Sequence, residues 1–420
     1  MTLSHTATGG NYGSVSKELV VTVIDANNIC VRSSGLNADG TNCNLSNKSI
    51  SSLSTNDFDG LSNLQELFLQ NNNLSGLPVD VFAGLSNLQI LLLNSNNLSS
   101  LPADVFAGLS NLQILLLNNN NHLNSLPTNI FAGLSSLQSL RLDITNLNSL
   151  PADIFAGLSN LQSLQINGNN LSSLPANIFA GLSNLQSLYI NGNNLSSLPV
   201  DVFAGLSNLQ SLRLNHNQLT NLPADIFVGL SNLQSLALNH NQLTSLPANV
   251  FVGLSSLEGL ALNNNKLSRL PEDVFVSLSN LQSISLLHNG LTCLPLIPQR
   301  ALIDVNLPRC YALEVSPGAV TTLESGASTY TVKLSNQPSG AVTVTVSGMS
   351  SDVNVDTDAG MQGRQTSLTF TTTNWNTARM VTVAAAEDGN TSSEAVTLTH
   401  TTSSSGTTYS VSRSLGVTVI

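Results

Sequence analysis

A single 24-residue sentence occurs nine times between Leu64 and Asn280, interrupted by one inserted residue. Its plainest copy is LQSLYINGNNLSSLPVDVFAGLSN, Leu185 to Asn208. A chain with that period is a stack: each copy buries its apolar side only against the next, so the fold is a solenoid. Stacking dictates most positions. Those that differ between copies therefore carry the information about function.

The first half of the sentence, L-x-x-L-x-L-x-x-N-x-L, places apolar residues at alternate positions of a short strand. Leu188 and Ile190 then face inward and Tyr189 outward. Strands of successive copies pair in parallel at about 4.8 Å, so some ten of them span roughly 45–50 Å. Asn193 stands where the chain leaves the strand. Its equivalents Asn72, Asn96, Asn169, Asn217, Asn241, Asn265 and Asn289 are read as a buried ladder bonded to the backbone of neighbouring turns.

The second half, L-P-x-[DN]-[VI]-F-x-G-L, is the return segment. Asp or Asn recurs two residues before each Phe, as at Asp80, Asp104, Asn129, Asp153 and Asn177. That placement predicts a short helical turn whose N-cap side chain accepts an orphan backbone N–H. The Phe column, from Phe58 to Phe275, takes ten of the 12 phenylalanines and reads as an aromatic spine in the core.

These residues resemble the leucine-rich repeat family, in the 24-residue form of extracellular receptors. The wording L-P-x-x-[VI]-F-x-G-L-S-N-L is especially similar to the repeats of variable lymphocyte receptors. The resemblance covers about two-thirds of the chain and implies a curved solenoid with its parallel sheet on the concave face. It also implies binding as the usual role, with no particular ligand.

Composition narrows the partners. A net charge of −11 with only 9% charged residues offers no basic stripe for nucleic acid. No run of 18 or more apolar residues exists to span a membrane. The four cysteines bracket the solenoid, Cys30 and Cys43 before it, Cys293 and Cys310 after it. An open solenoid exposes its core at both ends, and a bridge closing a loop of about 15 residues stabilises a cap by about 3 kcal/mol. The expected pairs are Cys30–Cys43 and Cys293–Cys310. A four-thiolate metal site would require the two ends to meet. Disulfides point to an oxidising, extracellular or cell-surface setting. The caps resemble the cysteine-bearing flanks of extracellular leucine-rich repeats, with fewer cysteines than the usual pattern.

The two ends of the chain match each other: TLSHTATGGNYGSVSKELVVTVI at 2–24 parallels TLTHTTSSSGTTYSVSRSLGVTVI at 397–420. The C-terminal copy closes a set of alternating runs beginning near Tyr311, read as a seven-stranded sandwich. The expected organisation is a terminal hairpin of a truncated sandwich at 1–29, the capped solenoid at 30–310 and a β-sandwich at 311–420. The fold class is thus an α/β-type leucine-rich repeat solenoid, with a short helical or irregular convex side, plus an all-β sandwich. Two strands cannot bury a core alone, so the chain reads as an excerpt of a longer protein with further sandwiches. The last 110 residues resemble Calx-β-type sandwiches of bacterial surface proteins, with Trp375 expected to cover one end of the core. That resemblance implies calcium near Glu324, Glu387 and Asp388. The fuller acidic cluster is missing, and solvated loop acids are the competing reading.

The residue inside L-x-L differs in almost every copy: Phe68, Leu92, Leu116, Arg141, Gln165, Tyr189, Arg213. The scaffold does not dictate a solvent-facing column, and this one reads as a recognition surface. Neutral drift is the rival, weakened because exposed convex positions vary far less. Phe68, Ile90, Leu92, Ile114 and Leu116 form an expected apolar patch. A polar strip follows, with Arg141, Asp143, Gln165, Tyr189, Arg213 and His216, the Tyr and Arg being common interface anchors. The insertion in NNNNHLNSLP (Asn118 to Pro127) and the replacement of the ladder Asn by Thr145 adjoin the patch. His216 and His240 share a column, but a third metal ligand is missing, and solvated imidazoles are the simpler reading. No nucleophile–base arrangement, phosphate loop or carboxylate cleft is readable. The expectation is a non-catalytic, secreted or surface-displayed protein that binds a protein or glycan on the concave face without a cofactor. The alternatives are an adhesive stalk without a specific ligand, or binding to an ordered surface such as glycan, mineral or ice.

Overall fold

The computed structural model describes residues 2–7, 15–20, 28–307, 310, 312–338, 340–358, 360–361, 364–387, 393–404 and 411–420. By internal contacts the chain divides into two units. One comprises Met1–Asn265 with Ser277–Leu287, the other Lys266–Val276 with His288–Ile420.

In the first unit, eleven three-residue strands from Asn42–Asn44 to Ser283–Ser285 pair in parallel with no register shift. Each copy supplies one strand of pattern x-L-x, a single inward residue between two outward ones. Leu67, Leu91, Leu115, Leu140, Leu164 and Leu188 are all fully buried at the strand centres. Behind them the rings from Phe58 to Phe251 stack with centroids 6.0–6.4 Å apart. Those separations lie within the attractive range for offset aromatic pairs.

The asparagine ladder forms as the spacing leads one to expect. Asn193 Nδ2 donates to the carbonyls of Ile166 and Ile190 at 3.0 and 3.1 Å, and its Oδ1 accepts from the Leu171 N–H. One side chain thus satisfies three backbone groups of two repeats. Asn120, left out of the predicted ladder, belongs to it and bonds Leu93, Leu98 and Leu117. The inserted residue falls just after it and is absorbed in a turn closed by the Leu123 N–H on the Asn120 carbonyl.

The return segment takes the irregular form rather than the helical one. Val81 N–H reaches the Pro78 carbonyl, Ala83 that of Asp80 and Leu85 that of Phe82, all three residues back. The predicted N-cap chemistry is therefore corrected: Asp80 accepts through its backbone carbonyl, and its side chain is exposed. The segment runs instead as successive three-residue turns that end at the left-handed Gly84 (φ +80°). Among the described residues the helix is Ile29–Arg32, capped by Asn28 Oδ1 accepting from the Cys30 N–H. Cys30 and Cys43 are bonded, with Cα atoms 5.7 Å apart.

The first unit also holds a hairpin in which Thr2–Ala7 pairs with Val15–Val20, Leu3 opposite Leu19 and His5 opposite Lys17. The matching residues near the C-terminus pair identically, Leu398 opposite Leu415 and His400 opposite Arg413. The repeat seen between the two ends of the sequence is thus a repeat of backbone register.

In the second unit, Cys293 and Cys310 are bonded. Nine strands from Leu313–Ser316 to Ser412–Val419 form a four-stranded antiparallel sheet and a five-stranded mixed one, sharing one apolar cluster that includes Tyr330, Val344, Phe370 and Val383. Two strands exceed the seven expected, Ala319–Thr322 and Val353–Asp356. Trp375 packs half-buried against the cluster.

Candidate functional site

The outward side chains of the parallel sheet form straight columns because the register never shifts. Phe68, Leu92 and Leu116 stand in one column, Ile90 and Ile114 in the next, and all five are half-buried. The structure therefore brings the predicted apolar patch together. Two residues beyond the first column stand Gln70, Asn94 and Asn118. Their side-chain carbonyl oxygens are buried without a hydrogen-bond partner. Sequence reasoning missed this row, since its amides look like ordinary solvated positions. Each buried, unpaired acceptor costs on the order of 1–3 kcal/mol.

The row changes character at the fourth repeat. Asp143 is 5% exposed and uses both oxygens: Oδ2 accepts from Arg141 Nε at 3.0 Å, and Oδ1 from the backbone and side-chain N–H groups of Asn167. Arg141 is thereby fixed in place beside Leu116, its partner in the sheet. Next to this pair Thr145 replaces the ladder Asn, its Oγ1 within 3.0 Å of the Leu142 carbonyl and of Asn169 Oδ1. Ile144 is a further residue missed in the sequence. It is half exposed and left-handed at φ 53°, where its equivalents are Asn, Ser, Gly and His. A β-branched residue there is strained. An apolar letter in a column of turn-formers was the available signal.

Gln165, Tyr189 and Arg213 follow on successive strands. The Arg213 guanidinium lies 4.3 Å from the Tyr189 ring centroid, a cation–π contact. Burial pushes the Tyr189 phenol up, but hydrogen bonds with Ser211 and Ser187 and the Arg213 charge outweigh it and hold the group below its ordinary value. His216 and His240 are left-handed turn residues whose rings stack 4.1 Å apart. Partial burial, then the neighbouring imidazole, lower the pKa of His216.

One residue ahead of each strand lies a row of glutamines, alongside a row of asparagines. Over three repeats these rows enclose a cleft of about 430 Å³ lined by Asn160, Gln162, Asn184, Gln186, Asn208 and Gln210. The asparagines are pinned: Asn160, Asn184 and Asn208 each donate to a serine carbonyl one repeat back, at 2.9 Å.

Among the described residues no three His, Cys, Asp or Glu side chains come together to hold a metal ion. Of the acids considered for calcium, Glu387 accepts from Ser325 Oγ at 3.2 Å and Glu324 is partly buried. Asp388 lies outside the described residues. No described helix is long and apolar enough to cross a membrane.

The leucine rich repeat model matches residues 42–98, 62–123, 86–147, 135–195, 183–243 and 231–291, a continuous stretch of more than half the chain. The chain belongs to the leucine-rich repeat family. Its leucine-rich repeats are similar to the glycosylated Toll–Spatzle complex of Drosophila, with 31% identity and a TM-score of 0.52 over 61% of this chain and 34% of that one. Another structure of that complex matches at 27% identity and TM-score 0.48, over 61% and 38%. The TLR13–ssRNA13 complex matches at 26% and 0.47, over 58% and 46%. The leucine-rich repeat chain here thus spans a third to a half of the length of these chains. No curated protein matches it.

Proposed function

We propose that this chain is a non-catalytic binding protein of the cell exterior that recognises a protein ligand on the face of its parallel sheet. One observation carries the reading. On a scaffold repeated almost letter for letter, the outward column holds Phe68, Leu92 and Leu116, flanked by Ile90 and Ile114. Contiguous outward apolar side chains, unlike solitary ones, mark interaction surfaces. The ordered Arg141–Asp143 pair borders the patch, with Gln165 and the Tyr189–Arg213 stack further along.

Similarity to a structure of the Toll–Spatzle complex supports a binding role for the repeats. The wording of the repeats, close to that of variable lymphocyte receptors, favours a concave sheet face. Two disulfides favour an oxidising compartment. The C-terminal two-sheet unit, similar to Calx-β-type sandwiches, serves in this reading as a spacer in a longer surface protein with further such units.

The test is binding of the full chain to arrayed extracellular proteins. Capture is expected for the wild type and lost in Phe68→Ala and Leu92→Asp with the thermal midpoint little changed. No capture, or capture indifferent to both substitutions, refutes recognition and leaves a stalk.

A further inference from the structure

We propose that the repeats from Asn160 to Arg213 form a separate binding site for an acidic oligosaccharide, a linear chain of sugar rings bearing occasional carboxylate or sulfate groups. The proposal does not rest on the apolar column.

The cleft supplies the first half of the site. Its six lining side chains are all carboxamides, drawn from three consecutive repeats. A carboxamide both donates and accepts, as a sugar hydroxyl does, so such a wall matches neighbouring hydroxyls and offers little to an apolar ligand. The asparagines are held by their serine carbonyl bonds, so no rotamer entropy is lost in ordering them on binding. Gln162, Gln186 and Gln210 make no side-chain hydrogen bond within the described protein and are free for a ligand. Two rungs of about 4.8 Å each give the cleft a span of roughly 10 Å, the scale of two sugar rings. The Asn-x-Gln pair is unbroken from Asn160 and Gln162 to Asn232 and Gln234. Ser136 interrupts it on one side, Ser256 and Glu258 on the other.

The second half is an acid-binding group at the end of the same strands. Gln186 and Gln210 precede Tyr189 and Arg213 by three residues, about 10 Å of extended chain. Ser187 and Ser211 lie between, in register on neighbouring strands. Arg213 is exposed and braced on the Tyr189 ring, and no described carboxylate pairs with it. An oriented guanidinium without a counter-ion favours a carboxylate or sulfate. The chain around it carries a net charge of −11, which repels a dense polyanion. A sparsely charged glycan meets both conditions: one acid for Arg213, hydroxyls for the amides.

The experiment uses the full chain on immobilised linear oligosaccharides, each uronate- or sulfate-bearing member paired with its neutral counterpart. Acidic members should be retained and their neutral counterparts bound about tenfold more weakly, the scale of one charge-assisted hydrogen bond. Arg213→Ala should abolish that difference, and Gln186→Ala with Gln210→Ala should weaken both classes. The uronate and sulfate arms identify the acid. Thermal midpoints establish that the variants are folded, with Arg213→Gln as a second charge-removing variant. The proposal is overturned if no acidic member is retained, if Arg213→Ala leaves the preference intact, or if acidic peptides of equal charge bind as well. Protein capture is read on a different array and responds to Leu92→Asp, so either result stands without the other.

Discussion

The phenol oxygen of Tyr330 lies 2.7 Å from Nε2 of His400, and both side chains are sealed inside the C-terminal unit. The other ring nitrogen, Nδ1, faces the Arg413 carbonyl at 3.3 Å. A carbonyl only accepts, so Nδ1 carries the proton and Nε2 accepts from Tyr330. Burial pushes the phenol up and keeps it protonated. Tyr330→Phe leaves the imidazole nitrogen unpaired and should cost about 1–3 kcal/mol. In a double-mutant cycle by denaturant unfolding, Tyr330→Phe and His400→Leu together should cost less than the sum of the two. Additivity would show the bond to be incidental.

The same histidine makes this unit sensitive to acid. Burial lowers the His400 pKa, with the Arg413 carbonyl bond opposing. The folded form therefore keeps it neutral while the unfolded chain takes up a proton near pH 6.5. Its contribution is complete above that pH and is lost as pH falls toward the lowered folded value. His400→Leu should flatten the stability of the unit across that window, measured by unfolding at stepped pH.

On the sheet face, His216 should titrate below the ordinary histidine range. Partial burial is the larger cause and the stacked His240 the smaller. NMR titration of the imidazole carbons should place its midpoint below 6.5, moving upward in His240→Ala. A midpoint unmoved by that substitution would mean that the rings do not interact in solution.

Ile144 carries the clearest local strain of the solenoid. Its left-handed φ of 53° brings its side chain over Gly168, where an added Cβ would stand 3.1 Å from Ile144 Cγ1. Ile144→Asn restores the residue type of the column and should stabilise the protein by about 1 kcal/mol, seen as a raised thermal midpoint. A lowered midpoint would mean that the aliphatic contact outweighs the strain.

Loss of a ladder residue should be far more damaging than loss of an outward one. Asn193→Ala removes three buried hydrogen bonds and leaves the Leu171 N–H without its acceptor, while Asn169 and Asn217 still serve the Ile166 and Ile190 carbonyls, at a cost on the order of 1–3 kcal/mol. Gln165→Ala, on the outward column, should stay within about 0.5 kcal/mol. Similar losses from the two would contradict the division between scaffold and free column.

That division was legible in the sequence because a 24-residue period compares each position with its own copies. Leu188 and Ile190 inward, Tyr189 outward and the phenylalanine spine all follow from it, and the cysteine pairs follow from their places at the two ends of the repeats. What escaped was whatever the copies share or break only slightly. The amide cleft is built from repeated Asn and Gln that look like filler, and its walls become visible only when serine carbonyls are seen to pin them. Asn120 escaped because an insertion sits just behind it. The return segment misled because Asp before an apolar turn is equally good chemistry for a cap and for a run of tight turns. Ala319–Thr322 and Val353–Asp356 are too short to show a persuasive alternation. Ile144 showed only as one apolar letter in a column of turn-formers, and the unpaired oxygens of Gln70, Asn94 and Asn118 depend on backbone geometry that no letter pattern records.

The unbroken register of the three-residue strands makes the sheet a ruler. The separation between any two outward groups, such as Leu116 and Arg213, is a whole number of rungs. Excising one 24-residue copy between them would bring the groups closer by about 5 Å while leaving the chemistry of each intact. Spacing and chemistry of contact can thus be altered independently, which few binding surfaces permit.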